Sequence, residues 1–313
     1  MPLLFIHPRR GLYQLTCCQD CGYKFGCDNC DCNLTTYRSG SNFLQLLCHQ
    51  CQSNYNYPNI CPMCKGNNIS SNYGGVNELV EILSKDYSKE VIKVDGKNKL
   101  EYTMDTIYVS TRIFDPSIEY NRFEKIIFVR AENLIASADY LVEEDMYKSL
   151  AELFLQIDDK TEVIMDTNNP ELGFFQEIIK LDHNHMEYKN GISNPLSWYQ
   201  DFIALESIKR QKFIFPPFYN LVLITTQEKN KDKSLQKINA VKQYLFGYKN
   251  SLPNLTISSP YPAKFLRRKG MFSHHLLLKF PKQYTQYFQL KELIKASAST
   301  YNVQVRLNPR NLF

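Results

Sequence analysis

Beyond Cys64 the sequence has no cysteine at all, so any thiol chemistry is confined to the first fifth of the chain. No apolar run approaches the roughly 18 residues that cross a bilayer, which excludes a membrane span. No secretory signal is expected either: Met1-Pro-Leu-Leu-Phe-Ile-His-Pro-Arg-Arg10 puts its short apolar stretch before its basic pair, the reverse of such a signal. The expected location is therefore cytoplasmic. Acidic residues are scarce towards the end, with 5 Asp+Glu against 19 Lys+Arg in residues 201–313.

What is present excludes global disorder, since 43% of the 313 residues are apolar and 13% aromatic, and this length suggests about two domains. The net charge of +5 hides an asymmetry: residues 1–66 carry +2, residues 67–200 carry −11 and residues 201–313 carry +14. The middle repels polyanions and the last third attracts them.

All ten cysteines lie between Cys17 and Cys64. Eight form four C-x-x-C pairs: Cys18 with Cys21, Cys27 with Cys30, Cys48 with Cys51, and Cys61 with Cys64. Such a pair on a tight turn aims two thiolates at one point about 2.3 Å from a zinc ion, and two pairs complete a tetrahedral shell. Four pairs make two shells. A disulfide scaffold uses the same residues but belongs to oxidising compartments, and iron accepts similar ligands; structural zinc is the expected occupant. With four thiolates closing each shell, no position is open for a metal-bound water, so the metal holds structure and does not react. Gly22 supplies a flexible turn after one pair and Pro62 stiffens another. His49, inside the third pair, is able to replace a thiolate, yet the pairs are complete without it. Cys17 and Cys32 have no assigned role, and Cys17 is able to take the place of Cys18.

The string Cys18-x-x-Cys21-Gly22-x4-Cys27-x-x-Cys30, then Leu34, Leu47-Cys48-His49-x-Cys51 and Pro58-x-x-Cys61-Pro62-x-Cys64 resembles the zinc-binding insertion of the bacterial primosomal protein N′ family, the replication-restart DNA helicases. Leu4-Phe5-Ile6-x-x-Arg9-Arg10-Gly11 resembles the strand leading into that insertion, and Gly75-x-x-Glu78-Leu79-Val80-Glu81-Ile82-Leu83 the helix entry after it. Phe215-Pro216-Pro217-Phe218 with Leu221-Val222-Leu223-Ile224 is similar to the family's Tyr-Pro-Pro-Phe and its following strand. Ser259-Pro260-x-Pro262-Ala263, Leu266-Arg267-Arg268-x-Gly270, Leu276-Leu277-Leu278-Lys279 and Leu307-Asn308-Pro309-x-Asn311 resemble its C-terminal domain. The expected ligand sets are Cys18, Cys21, Cys61 and Cys64 for a first zinc, and Cys27, Cys30, Cys48 and Cys51 for a second.

The family's motor has two RecA-like lobes, with nucleotide held by a G-x-x-x-x-G-K-[ST] loop. This sequence contains no such loop; Gly96-Lys97 and Gly247-Tyr248-Lys249 lack the upstream glycine and following hydroxyl, so no ATP site is recognisable. Residues 67–200 alternate a helix near Asn77–Leu83, strands near Val91–Val94, Ile107–Val109, Ile126–Val129 and Val163–Met165, and a helix near Met146–Ile157, which argues a parallel α/β layer. Val109-Ser110-Thr111-Arg112 stands where the family has Gly-Thr-Gln, Asp115-Pro116-Ser117 replaces its Lys-Gly-His, and Gln156-Ile157-Asp158-Asp159-Lys160 replaces its Gly-Arg-Ala-Gly-Arg. Carboxylates beside a polyphosphate oppose what an arginine finger assists, so ATP hydrolysis by this polypeptide alone is not expected.

Among other candidates, Asp182-His183-x-His185 reads as a small metal cluster or a solvated loop, with no third ligand evident. Glu143-Glu144-Asp145 reads as complementing a helix N-terminus, with metal binding as the alternative. Trp198 and Tyr199, before a helix near Phe202–Lys212, are expected to pack between domains. Lys229, Lys231 and Lys233 read as an exposed turn. Lys264, Arg267, Arg268 and Lys269 are expected in a loop before a strand, which reads either as a solvated basic loop or, favoured here by the +14 background and the resemblance, as a phosphate-contacting patch with Phe265, Phe272 and His274 near enough to stack on unpaired bases.

The expected architecture is α/β: a degenerate RecA-like helicase second lobe at 1–15 and 67–196, an inserted double zinc ribbon at 16–66, and a basic α+β DNA-binding domain at 197–313. The resemblance implies a motor-less zinc protein of replication restart and primosome assembly that recognises forked or single-stranded DNA near the bacterial nucleoid. Primosome proteins, single-strand-binding protein or a separate helicase lobe are the implied partners. Two alternatives stay open: one half of a split ATP-dependent helicase, and an interaction scaffold without DNA binding.

Overall fold

Leu3–Ile6 (β1) is a run of four apolar residues with side chains buried on both faces, the signature of a central parallel strand. In the computed structural model, which describes residues 2–7, 15–39, 43–72, 76–94, 100–135, 139–158, 160–176, 178 and 197–312, it takes that place. Two units make up the chain: Met1–Gln14 with Tyr73–Ala204, and Leu15–Asn72 with Leu205–Phe313.

In the first unit β1 lies between Thr106–Ser110 (β8) and Lys125–Phe128 (β9), with Glu90–Lys93 (β7) and Glu162–Met165 (β10) at the edges. All four pairings are parallel, as the alternation of helices and strands predicts. Helix Val76–Asp86 (α1) sends Leu79, Val80 and Leu83 onto one face, against Phe5, Ile107 and Val109. Helix Val142–Phe154 (α2) sends Met146, Tyr147, Leu150 and Leu153 onto the other, against Leu4, Ile6, Tyr108, Ile126 and Phe128. The spacing of three and four residues on each helix is what burying one stripe requires. Glu143, Glu144 and Asp145 occupy the first turn of α2, where carboxylates favour the positive end of the helix dipole.

The second unit begins with the cysteine-rich segment. Leu15–Cys18 (β2) pairs antiparallel with Ile69–Asn72 (β6) at its base, and Thr35–Ser39 (β3), Phe43–Leu47 (β4) and Asn54–Asn56 (β5) form a three-stranded sheet within it. Its C-terminal part is an antiparallel sheet in the order β12 (Thr256–Ile257), β14 (Met271–Pro281), β11 (Tyr219–Glu228), β15 (Gln304–Leu307), with β13 (Tyr261–Arg268) also on β14. Val222 and Ile224 lie opposite Leu278 and Leu276 and face Ile238, Val241 and Leu245 of helix Lys231–Phe246 (α4) and Leu290 of helix Tyr287–Tyr301 (α5). Helix Ser197–Lys212 (α3) precedes this sheet in the chain, and Tyr199 at its start packs against the core of the first unit.

Two sequence expectations are corrected here. Lys264, Arg267 and Arg268 stand on strand β13, not in a loop, because residues 261–262 and 267–268 pair with β14 on either side of a bulge. Lys231 and Lys233 open α4 instead of forming a turn, because the Asn230 side chain accepts the Lys233 N–H at 3.0 Å and caps the helix.

Candidate metal centre and nucleic-acid interface

Three of the C-x-x-C turns close in one way. The Cys18, Cys48 and Cys61 N–H groups donate to the carbonyls of Tyr23, Ser53 and Gly66 at 2.9, 2.9 and 2.8 Å. The Gly22, Gln52 and Lys65 N–H groups donate back to Cys18, Cys48 and Cys61 at 2.9, 2.8 and 3.0 Å. The returning residue takes a left-handed φ in each case, 73°, 66° and 62°, which glycine adopts freely and the two side-chain-bearing residues adopt at a cost.

These turns gather the thiols into two sets, Cys18, Cys21, Cys61 and Cys64, and Cys27, Cys30, Cys48 and Cys51, with all four Sγ atoms of a set within 4.8 Å of one another. Cys18 and Cys64 are 3.5 Å apart, Cys21 and Cys61 3.6 Å, and Cys27 and Cys51 3.6 Å. A tetrahedron with 2.3 Å metal–sulfur bonds has edges of about 3.8 Å, so each set fits one tetrahedral ion. The same separations are far beyond a disulfide bond, and all ten cysteines are free thiols. Both clusters are therefore able to hold a metal ion.

The crowding of the thiols spreads their pKa values. Burial pushes Cys30 up to about 12, with Cys51 and Cys48 adding to the rise and the Lys269 N–H opposing it. The Ser53 hydroxyl holds Cys51 down to about 6, and at Cys61 the N–H groups of Cys64 and Met63 overcome burial to bring it to about 7. Crowded thiols resist losing all their protons unless a cation takes the protons' place.

Around the second set stand groups that local sequence reasoning did not reach. The Tyr55 hydroxyl lies 3.3 Å from Cys27 Sγ and accepts the Asp28 N–H at 3.1 Å. Cys32 Sγ lies 3.5 Å from Cys48 Sγ. The Lys269 N–H donates to Cys30 Sγ at 3.3 Å, a contact across the sequence for which no local pattern gives a signal. His49 is exposed and outside both sets, while Cys17 Sγ accepts from Gln19 Nε2 at 3.2 Å.

Of the residues expected to meet nucleic acid, Lys264, Arg268 and Lys269 are exposed, and Phe265 and Arg267 are half-buried. His274 is not brought to that surface. It is buried, with Nδ1 2.9 Å from Ser234 Oγ, because its position on β14 points it at α4. Burial, then the Lys231 charge, lowers its pKa. Lys279, on the same strand, lies 3.7 Å from the Phe215 ring centroid and donates to the Phe213 carbonyl at 3.0 Å.

In the first unit, Asp115 is buried and bound locally. Its Oδ1 accepts the Ser117 N–H at 3.0 Å and the Ser117 hydroxyl at 2.6 Å, and the Arg112 guanidinium lies 3.4 Å from Oδ2. Asp182, His183 and His185 lie outside the described residues, as does the side chain of Trp198. No described helix is long and apolar enough to cross a membrane.

Residues 211–310 match the family model described as the primosomal protein N C-terminal domain. The chain is 24% identical to a replication restart protein PriA of Thermotoga maritima over 87% of its own length and 35% of that protein's. It is 24% identical to the one of Synechocystis over 99% of its length and 37% of that protein's, and 26% identical to the one of Haemophilus influenzae over 97% and 41%. The chain thus spans less than half the length of these relatives. The chain is thus similar to replication restart proteins PriA over most of its own length, and its residues 211–310 match the primosomal protein N C-terminal domain.

Proposed function

We propose that this chain is a zinc-bearing, DNA-binding protein of replication restart, in which two structural zinc ions hold residues 16–66 in shape and basic residues of the second unit meet forked or single-stranded DNA. Its relatives, named as replication restart proteins, support a role in DNA replication linked to the primosome. The parallel sheet of the first unit, entered by β1 and resumed after the cysteine-rich segment, is read as a degenerate helicase second lobe.

The observation that carries the DNA reading is the exposure of Lys264, Arg268 and Lys269 on one hairpin of a region whose net charge is +14. Exposed cations set close together neutralise successive phosphates and release their counterions. Phe265 beside them is half-buried, leaving part of its ring for a base to stack on. Gel-shift titration of the zinc-loaded protein with a forked DNA, and with a blunt duplex of equal length as competitor, tests the reading. Retention of the fork, weakened by Lys264→Glu/Arg268→Glu, is expected. No shift at low salt would overturn it.

A further inference from the structure

The fourth cysteine turn closes differently from the other three. The Cys27 N–H donates to the Cys32 carbonyl at 3.0 Å, matching the first bond of the shared pattern. By that pattern the Asp31 N–H should return to the Cys27 carbonyl. It donates instead to the carbonyl of Arg267, at 2.7 Å, and Arg267 Nη2 lies 3.5 Å from the Cys27 carbonyl. Arg267 is thus interposed in the turn, its carbonyl taking the donor and its guanidinium facing the acceptor. Two further contacts come from the same hairpin: the Lys269 N–H to Cys30 Sγ at 3.3 Å and the Gly270 N–H to the Asn29 carbonyl at 2.8 Å. Lys269 and Gly270 take left-handed φ values of 52° and 76° to aim these N–H groups.

We infer that the second metal centre is completed by the β13–β14 hairpin, with Arg267 and the Lys269 backbone as positioning residues that hold the Cys27–Cys30 turn around its ion. Groups that orient the first ligands of a metal contribute about 10–100-fold to its retention. The dependence runs both ways: the ion, by fixing Cys27 and Cys30, fixes the tip that carries the exposed Arg268 and Lys269. Arg267 therefore serves the metal site and not DNA, and the first centre, whose turns close on themselves, is independent of the hairpin.

This inference rests on the two-metal reading, and the test separates the two. Metal content of the purified full chain is measured first; fewer than two ions per chain overturns the metal reading and this inference with it. Release to a chromogenic chelator is then followed for the wild type, Arg267→Met, Lys269→Pro and, as a control, Arg268→Met. Proline has no N–H and cannot take the φ of Lys269. Arg267→Met keeps the backbone bonds and serves if the proline variant does not fold. One release phase is expected to accelerate about 10–100-fold in both variants, with the other phase and the control unchanged. Cys21→Ser should abolish the unmoved phase. In cobalt-loaded protein the thiolate charge-transfer band of one site should shift, a signature that general destabilisation does not produce. Wild-type release from both sites, or equal acceleration of both, would overturn the inference.

Discussion

Inside the second unit, Thr225 Oγ1 and His275 Nδ1 lie 2.9 Å apart, both residues buried beneath Tyr261, whose ring centroid is 5.5 Å from that of the imidazole. Burial, with the charges of Arg306 and His274 adding to it, lowers the His275 pKa to about 4. The folded state thus keeps the imidazole neutral while the unfolded chain takes up its proton near pH 6.5. Stability should fall as pH drops from about 6.5, with the loss complete below about 4 and on the order of 3 kcal/mol. Urea unfolding across this window should show it, and His275→Asn should flatten it. An unchanged slope in that variant would contradict the assignment.

The first unit should be sensitive at Asp115. Burial alone would raise its pKa, but the two bonds from Ser117 and the Arg112 charge outweigh burial and hold it below the usual carboxylate value. Its contribution is therefore present at neutral pH and lost as pH falls through the folded value. Asp115→Ala leaves the Ser117 N–H without its carboxylate and should cost about 1–3 kcal/mol at pH 7. A urea midpoint equal to that of the wild type would refute this.

The cysteine arithmetic was legible because C-x-x-C spacing acts within a single turn, where sequence distance and spatial distance coincide. Strand β1 was legible through the family resemblance of Leu4-Phe5-Ile6, β8 from the apolar run Ile107–Val109, and α2 from its acidic start and apolar stripe. The fate of His274 was not, since a histidine on a strand reads the same whether it faces solvent or Ser234. Nor was the role of Arg267. Four neighbouring cations look alike in sequence, and only the pairing of β13 with β14 turns one of them towards Asp31 while leaving Arg268 exposed.

Metal content should follow the two sets. Cys61→Ser and Cys48→Ser should each remove one ion of two by elemental analysis. Cys32→Ser should remove none, because Cys27, Cys30, Cys48 and Cys51 form a complete tetrahedral set without it. Loss of an ion from Cys32→Ser would place that thiol in the shell. Retention should weaken as pH falls, since protons compete with the ion for thiolates.

The most direct test of the account is the salt dependence of DNA binding, read by fluorescence anisotropy on a fork labelled at its branch. The logarithm of the affinity should fall linearly with that of the salt concentration, with a slope of about −0.9 per phosphate contact. Lys264→Ala/Arg268→Ala should reduce that slope by about two while both metal ions stay bound. Binding without salt dependence, or a slope indifferent to both substitutions, would contradict a DNA interface at this hairpin.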